Sequence, residues 1–117
     1  SLLRARLTAQ RFVSASQLQR APDRQLARAA GIVTCRQRPG TASGIVFVTL
    51  EDETGLANIV VHSRLVERQR RELLGARLLG VLGQVQREGE VVHLVAKRLV
   101  DLSSLLGRLP TASRDFH

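Results

Sequence analysis

Residues 44–61 read GIVFVTLEDETGLANIVV, two β-type apolar runs on either side of an acidic turn. Ile45, Phe47 and Thr49 fall on one face at period two, and Val46, Val48 and Leu50 on the other. Glu51-Asp52-Glu53-Thr54-Gly55 forms the turn, with Gly55 placed to take the positive φ that a tight hairpin with a bulge commonly needs. Both faces of the first run carry apolar groups, so one of them, Phe47, is expected outside the core and in need of another partner.

Working outward, Gln25–Gln37 (QLARAAGIVTCRQ) is rich in β-branched residues and free of acids, which predicts a first strand interrupted at Gly31. Arg38–Gly44 is a loop of small residues, and Leu56–Val61 is the third strand. SRLVERQRRELL (63–74) predicts one helix, capped by His62 or Ser63 and closed by a left-handed Gly75. Its apolar stripe is Leu65, Val66, Leu73 and Leu74. Arg77–Gln86 and Val91–Leu99 are the last two strands, joined by a polar loop, Arg87-Glu88-Gly89-Glu90. This order predicts an all-β, five-stranded OB-fold, a partly open Greek-key barrel with a helix between strands three and four. In that architecture strands two and three and the flanking loops bind oligonucleotides. An SH3-type barrel would lack the helix.

Before the barrel, Ser14 and Gln17 form a capping box, and Val13 with Leu18 a hydrophobic staple, predicting a short helix that stops near Pro22. The preceding SLLRARLTAQRF reads either as a helix end from a neighbouring domain or as a flexible basic arm. The chain thus divides into a basic helical arm (1–24), the OB-fold domain (25–101) and a tail (102–117).

A length of 117 residues suits one domain, and a start at Ser1 with no Met anywhere reads as a piece of a longer polypeptide. Net charge is +8, from 17 Arg and one Lys set against ten acids. Residues 1–38 alone carry +7, while 44–62 carry −3. Guanidinium groups concentrated on the arm and first strand favour a polyanionic partner. A lone cysteine, Cys35, excludes an internal disulfide and is expected to be a packed strand residue in a reducing compartment. No apolar run approaches ~20 residues and no signal peptide is recognisable, so a cytoplasmic protein without a membrane partner is expected.

Phe47 is the leading candidate for base stacking. Arg36 and Arg38, two apart on the first strand, share a face beside the loop leading to Phe47 and are candidates for phosphate contacts. Lys97, on the face of His93 and Val95, and Arg87, in the last loop, are candidates to extend a groove. Arg64, Arg68 and Arg71 line one side of the predicted helix, a solvated face or a second contact surface. The acids Glu51, Asp52 and Glu53 diverge from one turn and are expected to be solvated. His62, His93 and His117 lack ligand partners at metal spacing. No Ser-His-Asp order, Walker loop or GxGxxG run occurs, so no catalytic residue, metal or cofactor is expected in this chain.

Arg36-Gln37-Arg38-Pro39-Gly40, Leu50-Glu51-Asp52-Glu53-Thr54-Gly55, Arg87-Glu88-Gly89-Glu90-Val91-Val92-His93 and Ser113-Arg114-Asp115-Phe116-His117 together resemble the C-terminal OB region of the error-prone bacterial DNA polymerase. That family is a paralogue of the replicative polymerase III α subunit and works with the damage-induced mutagenesis cassette. The resemblance implies a non-catalytic last domain of a translesion polymerase that holds single-stranded template DNA weakly and without sequence specificity. It implies upstream polymerase domains and accessory mutagenesis proteins as protein partners. The replicative relative has a further, clamp-loader-docking domain; the SRDFH tail is read as the end here, so that docking is not carried over. The hairpin is also similar to the anticodon-binding OB domain of class II aspartyl- and lysyl-tRNA synthetases, in which an aromatic stacks on a base and an amide reads it. Phe47 and Asn58 match those places. Two alternatives stay open beside DNA binding: a docking module for accessory proteins or the polymerase body, and a tRNA anticodon-binding domain.

Overall fold

The computed structural model describes residues 2–40 and 44–107. Ser1, residues 41–43 and the SRDFH motif at 113–117 lie outside the described residues. Five strands, β1 (Leu26–Gln37), β2 (Val46–Asp52), β3 (Gly55–Val61), β4 (Leu78–Glu88) and β5 (Val91–Asp101), close into a barrel in the order β1-β2-β3-β5-β4, with β4 returning to β1. All pairings are antiparallel except β3 with β5, which run parallel at Ile59↔Leu94 and Val60↔Val95. This is the five-stranded mixed barrel of an OB-fold.

The alternation expected of β2 is present: Val46, Val48 and Leu50 are buried, while Phe47 points out. They meet Ile59 and Val61 of β3, Leu79, Val81 and Val85 of β4, and Leu94 and Leu99 of β5 in the interior. β1 is not broken at Gly31. It runs through as one strand, because Gly31 sits where its pairing passes from β4 to β2. A Cβ there would lie 2.9 Å from the Glu51 carbonyl oxygen, so the missing side chain permits the close approach.

The helix predicted over 63–74 is two short helices, α3 (Ser63–Arg68) and α4 (Arg70–Gly75). Gln69 between them leaves helical geometry (φ −122, ψ 41), and its side-chain amide pairs with β5. Nε2 donates to the Leu99 carbonyl (2.8 Å) and Oε1 accepts from the Leu99 N–H (2.7 Å). A glutamine thus occupies the strand edge beyond the short β3–β5 ladder, at the cost of helix continuity. Leu65, Val66 and Leu73 are buried, but Leu74 is 56 % exposed. The break also removes the continuous helical spacing of Arg64, Arg68 and Arg71, all of which are exposed. Gly75 is the last helical residue and not a left-handed cap; the chain leaves through Ala76 in extended geometry.

The N-terminal segment packs on the barrel. Here α1 (Leu2–Ala9) buries Leu7, and with Phe12 it covers Ala30, Leu78, Leu102 and Leu105 on the outside of β1 and β4. A Cβ on Gly80 would meet the Phe12 ring at 3.0 Å, so this glycine lets the ring approach β4 closely. The short helix α5 (Ser104–Gly107) completes that second cluster. The capping box forms as expected in α2 (Ala15–Gln19): Gln17 N–H donates to Ser14 Oγ, and Ser14 N–H donates to Gln17 Oε1.

The acidic turn is solvated at Glu51 and Glu53, which are exposed, but not at Asp52. Asp52 has a side chain only 6 % exposed. Its Oδ1 accepts from Thr54 N–H, Thr54 Oγ1 and Gly55 N–H, forming the turn, while Oδ2 accepts from the Ala15 N–H at the start of α2 (2.7 Å) and from Arg4 of α1 (3.1 Å). Arg4 also holds Glu53, through Nε at 2.8 Å. With Asp52 organising the turn, the hairpin needs no bulge: its register runs unbroken from Asp52↔Gly55 to Val46↔Val61, and Gly55 takes φ 147.

Replacing Asp52 by Ala removes the acceptor of the Ala15, Thr54 and Gly55 N–H groups, so it should cost about 3 kcal/mol. Urea unfolding would show a lower midpoint at unchanged slope, and an unshifted midpoint would contradict the role given to Asp52. The Arg4 hydrogen bond, and next the backbone hydrogen bond, hold the Glu53 carboxyl down from an ordinary 4.5 to about 2. Since the folded group titrates below the unfolded one, the stabilisation is complete above pH 4.5 and disappears as pH falls through about 2. The stability difference between wild type and Glu53→Gln should therefore close across that window. Its size should be small and salt-sensitive, because Glu53 is over half exposed.

Candidate nucleic-acid interface

The outer face of the barrel carries one row that register alone defines. Gln37 pairs with Phe47, Phe47 with Val60, Val60 with Val95, and Val95 with Gln84. Phe47, 36 % exposed, lies between Gln37 and Val60. The adjacent row is Cys35–Thr49–Asn58. Asn58 is exposed and diagonal to Phe47, a spacing of roughly 7–8 Å that an aromatic side chain can bridge. The ring and the amide singled out in the sequence therefore share one surface, with Thr49, placed on that face by periodicity, and with Gln37 and Val60, which were not singled out, as neighbours.

The candidate cations are distributed differently. In β1 the pairing jumps from Val33↔Leu50 to Cys35↔Thr49, leaving Thr34 as a bulge. The extra residue turns Cys35 and Gln37 to the Phe47 side, and Cys35 is exposed, not packed. Arg36, opposite the inward Val48, lies on the other side of the sheet from Phe47. Its Nε donates to the Leu73 carbonyl and one Nη to the Ala76 carbonyl, each at 2.7 Å, which caps the C-terminus of α4. Three of its five N–H donors are left for other partners. Arg38 is exposed and borders the same groove as Arg36, beside Val46, Arg70 and Leu74.

Arg87 belongs to β4 rather than to a loop, since the β4–β5 connection is only Gly89-Glu90, with Gly89 at φ 64. Its guanidinium donates to the carbonyls of Gln19, Ala21 and Gly89, clasping the C-terminal end of α2. Its own N–H donates to Asp23 (2.8 Å). Lys97 is exposed on β5 but borders a groove shared with Arg11, Arg28 and Arg98, away from Arg36 and Arg38. The structure thus gathers Phe47 and Asn58, and sends Arg36, Arg38, Arg87 and Lys97 to other parts of the surface.

Arg98 escapes a period-two reading, which would turn it inward. The signal was present: buried positions 92, 94 and 96 are followed by 99, an extra residue that marks a bulge. Among the described residues no cluster of three or more His, Cys, Asp or Glu is placed to hold a metal, and no helix is long and apolar enough to cross a membrane.

This barrel and its exposed ring have the form of a nucleic-acid-binding OB module. Residues 27–102 match the tRNA anti-codon family of OB-fold nucleic acid binding domains, and the chain belongs to that family. The whole chain is 72 % identical to part of an error-prone DNA polymerase of Azoarcus sp. (strain BH72) and 71 % identical to part of one from Dechloromonas aromatica (strain RCB). It spans only 11 % of the length of each of these relatives. Among solved structures it is similar to asparaginyl-tRNA synthetase from Pyrococcus horikoshii, with TM-score 0.64 and 22 % identity over 78 % of this chain and 23 % of that one. It is also similar to the OBody AM1L10 bound to hen egg-white lysozyme, with TM-score 0.61 and 12 % identity over 79 % of this chain and 93 % of that one. At these identities the two structures speak for the fold alone.

The outward turn of Cys35 predicts that its thiol titrates with an aromatic disulfide reagent in native buffer. A thiol seen only after denaturant is added would contradict the bulge at Thr34.

Proposed function

We propose that this chain is the non-catalytic C-terminal OB domain of an error-prone, translesion DNA polymerase, a cytoplasmic paralogue of the replicative polymerase III α subunit. In this reading it holds single-stranded template weakly and without sequence readout, beside the upstream domains of the same polypeptide. The observation that carries the proposal is Phe47, an aromatic ring left 36 % exposed on the β2–β3 face of a chain closely similar to error-prone polymerases. A ring stacks on any base, which suits a template of arbitrary sequence. Asn58 borders the stacked base, and the spare donors of Arg36, with Arg38, Arg87 and Lys97, contribute to the field around it. One ring without Tyr or Trp neighbours implies modest affinity.

Exposed Leu56 and Val91 (55 % each) favour a second reading, in which the same surface docks an accessory mutagenesis protein or the polymerase body. The OBody bound to lysozyme is an instance of such a barrel holding a protein.

Fluorescence anisotropy of labelled oligo(dT) separates these readings. Binding at low salt should weaken with a log–log slope of roughly −2 to −3 for three to four phosphate contacts. Phe47→Ala should cost about 1–3 kcal/mol, roughly 5- to 150-fold in Kd. Absence of binding at low salt, or a Phe47→Ala variant equal to wild type, would sink the proposal. A marked preference for folded tRNA would move the reading to anticodon binding.

A further inference from the structure

The strongest unassigned positive surface is the wall formed by β1, β4 and β5. Register places Arg28 of β1 opposite Leu82 of β4, and Leu82 opposite Arg98 of β5. Two guanidinium-bearing residues therefore flank an apolar floor, about 5 Å to either side of Leu82. Lys97 and Arg11 border the same groove of roughly 530 Å³, and no acid lines it.

Two features of the backbone show that this grouping is built. At Leu82/Gly83 the β4–β5 pairing shifts, so that Arg98 faces Leu82, Ala96 faces Gly83 and Lys97 is the extra residue. Between the inward Ala96 and Leu99, two consecutive cations thereby become exposed on the outer face. The bulge depends on Gly83, where a Cβ would stand 2.2 Å from the Val95 carbonyl oxygen. Arg11 ends α1 in a left-handed conformation (φ 68), a place glycine fills without strain. A long cation holds it instead, at the border of the groove.

We infer that this groove is a phosphate-binding track that continues the path of a single strand from Phe47; the inference rests on the DNA-holding reading above. The row from Phe47 through Val60 and Val95 reaches Gln84 of β4, and Gln84 pairs with Leu26, which borders the groove. Those three inter-strand steps span roughly 14 Å, and no acidic side chain belongs to the row. A strand leaving the ring crosses a groove over Val60, Val95 and Gln84 that Asp23 and Glu88 line together with Arg24 and Arg87, and then meets four cations with no acid among them. The length required lies within the roughly 4–16 nucleotides of one OB fold. An acidic protein segment would use the cations but not the ring, so joint use of both is the mark of nucleic acid.

The test is anisotropy of a labelled 15-nucleotide oligo(dT) on the 117-residue chain, whose barrel closes on itself. Three proteins are compared with wild type: Phe47→Ala, the groove triple Arg28→Gln/Lys97→Gln/Arg98→Gln, and a charge-matched triple on the helices, Arg64→Gln/Arg68→Gln/Arg71→Gln. Losing three phosphate contacts should flatten the salt slope by about 2 in the groove triple, while the helix triple stays near wild type. Equal effects from both triples would overturn the track in favour of a general positive field. Wild-type binding that depends on Phe47 but not on the groove would overturn the track and leave the DNA-holding reading standing. No wild-type binding would refute that reading, and the track with it. Displacement of the oligonucleotide by a 15-residue polyglutamate more readily than by unlabelled oligo(dT) would assign the groove to an acidic protein instead.

Discussion

A buried carboxylate at the tip of the β2–β3 hairpin holds the parts of this molecule together. Removed from water, Asp52 must have its oxygens satisfied by the protein, and it draws the donors from three segments: its own turn, the start of α2 and Arg4 of α1. The hairpin that carries the candidate binding face is thereby tied to the N-terminal segment at one end. At the other end of α2, Arg87 of β4 takes the helix's carbonyls. Held at both ends, α2 buries Ala15 and Leu18 against the barrel, and the preceding segment brings Phe12 onto Gly80. The helical arm is thus a packed layer of the fold, with an apolar cluster of its own outside the barrel.

What was legible in the sequence was local. The hairpin, the capping box at Ser14 and the order of strands follow from period two, turn chemistry and cap spacing, each contained within a few residues. The outward turn of Phe47 was legible for the same reason. What was not legible depends on distant partners. Gln69 breaks the helix because its amide bonds Leu99, thirty positions away. Gly75 is not needed as a left-handed cap because Arg36, from another element, takes the carbonyls of Leu73 and Ala76. Asp52 looked solvated because nothing nearby in sequence announces Arg4 or the Ala15 N–H.

Bulges are the second source of error, and they act on the candidate site itself. A strand's alternation assigns faces correctly only until one residue is added, after which every later side chain changes side. Thr34 does this in β1 and removes Arg36 from the neighbourhood of Phe47. Lys97 does it in β5 and brings Arg98 to the surface. Past its bulge β5 still buries Leu99, whereas every residue of β1 past Thr34 is exposed, so the core ends at the first bulge and continues through the second.

Net charge is consequently a poor guide to where a polyanion would lie on this chain. Arg4, Arg36 and Arg87 were part of the positive balance, yet each engages acceptors inside the fold: two carboxylates, the end of α4 and the end of α2. Guanidinium suits these places because its fork can serve two acceptors at once where an ammonium would act as a single point. An arginine-rich composition with a single lysine therefore reflects structural capping as well as any ligand. The cations that matter to a ligand are those whose exposure the backbone has arranged, and in this barrel that arrangement is made by the bulge at Lys97 and the glycine at 83 that permits it. Ring and charge then stand on different walls. In the proposed reading, stacking on Phe47 would give the base contact, and the phosphate pull would come from a surface the strand reaches only after it has crossed the barrel.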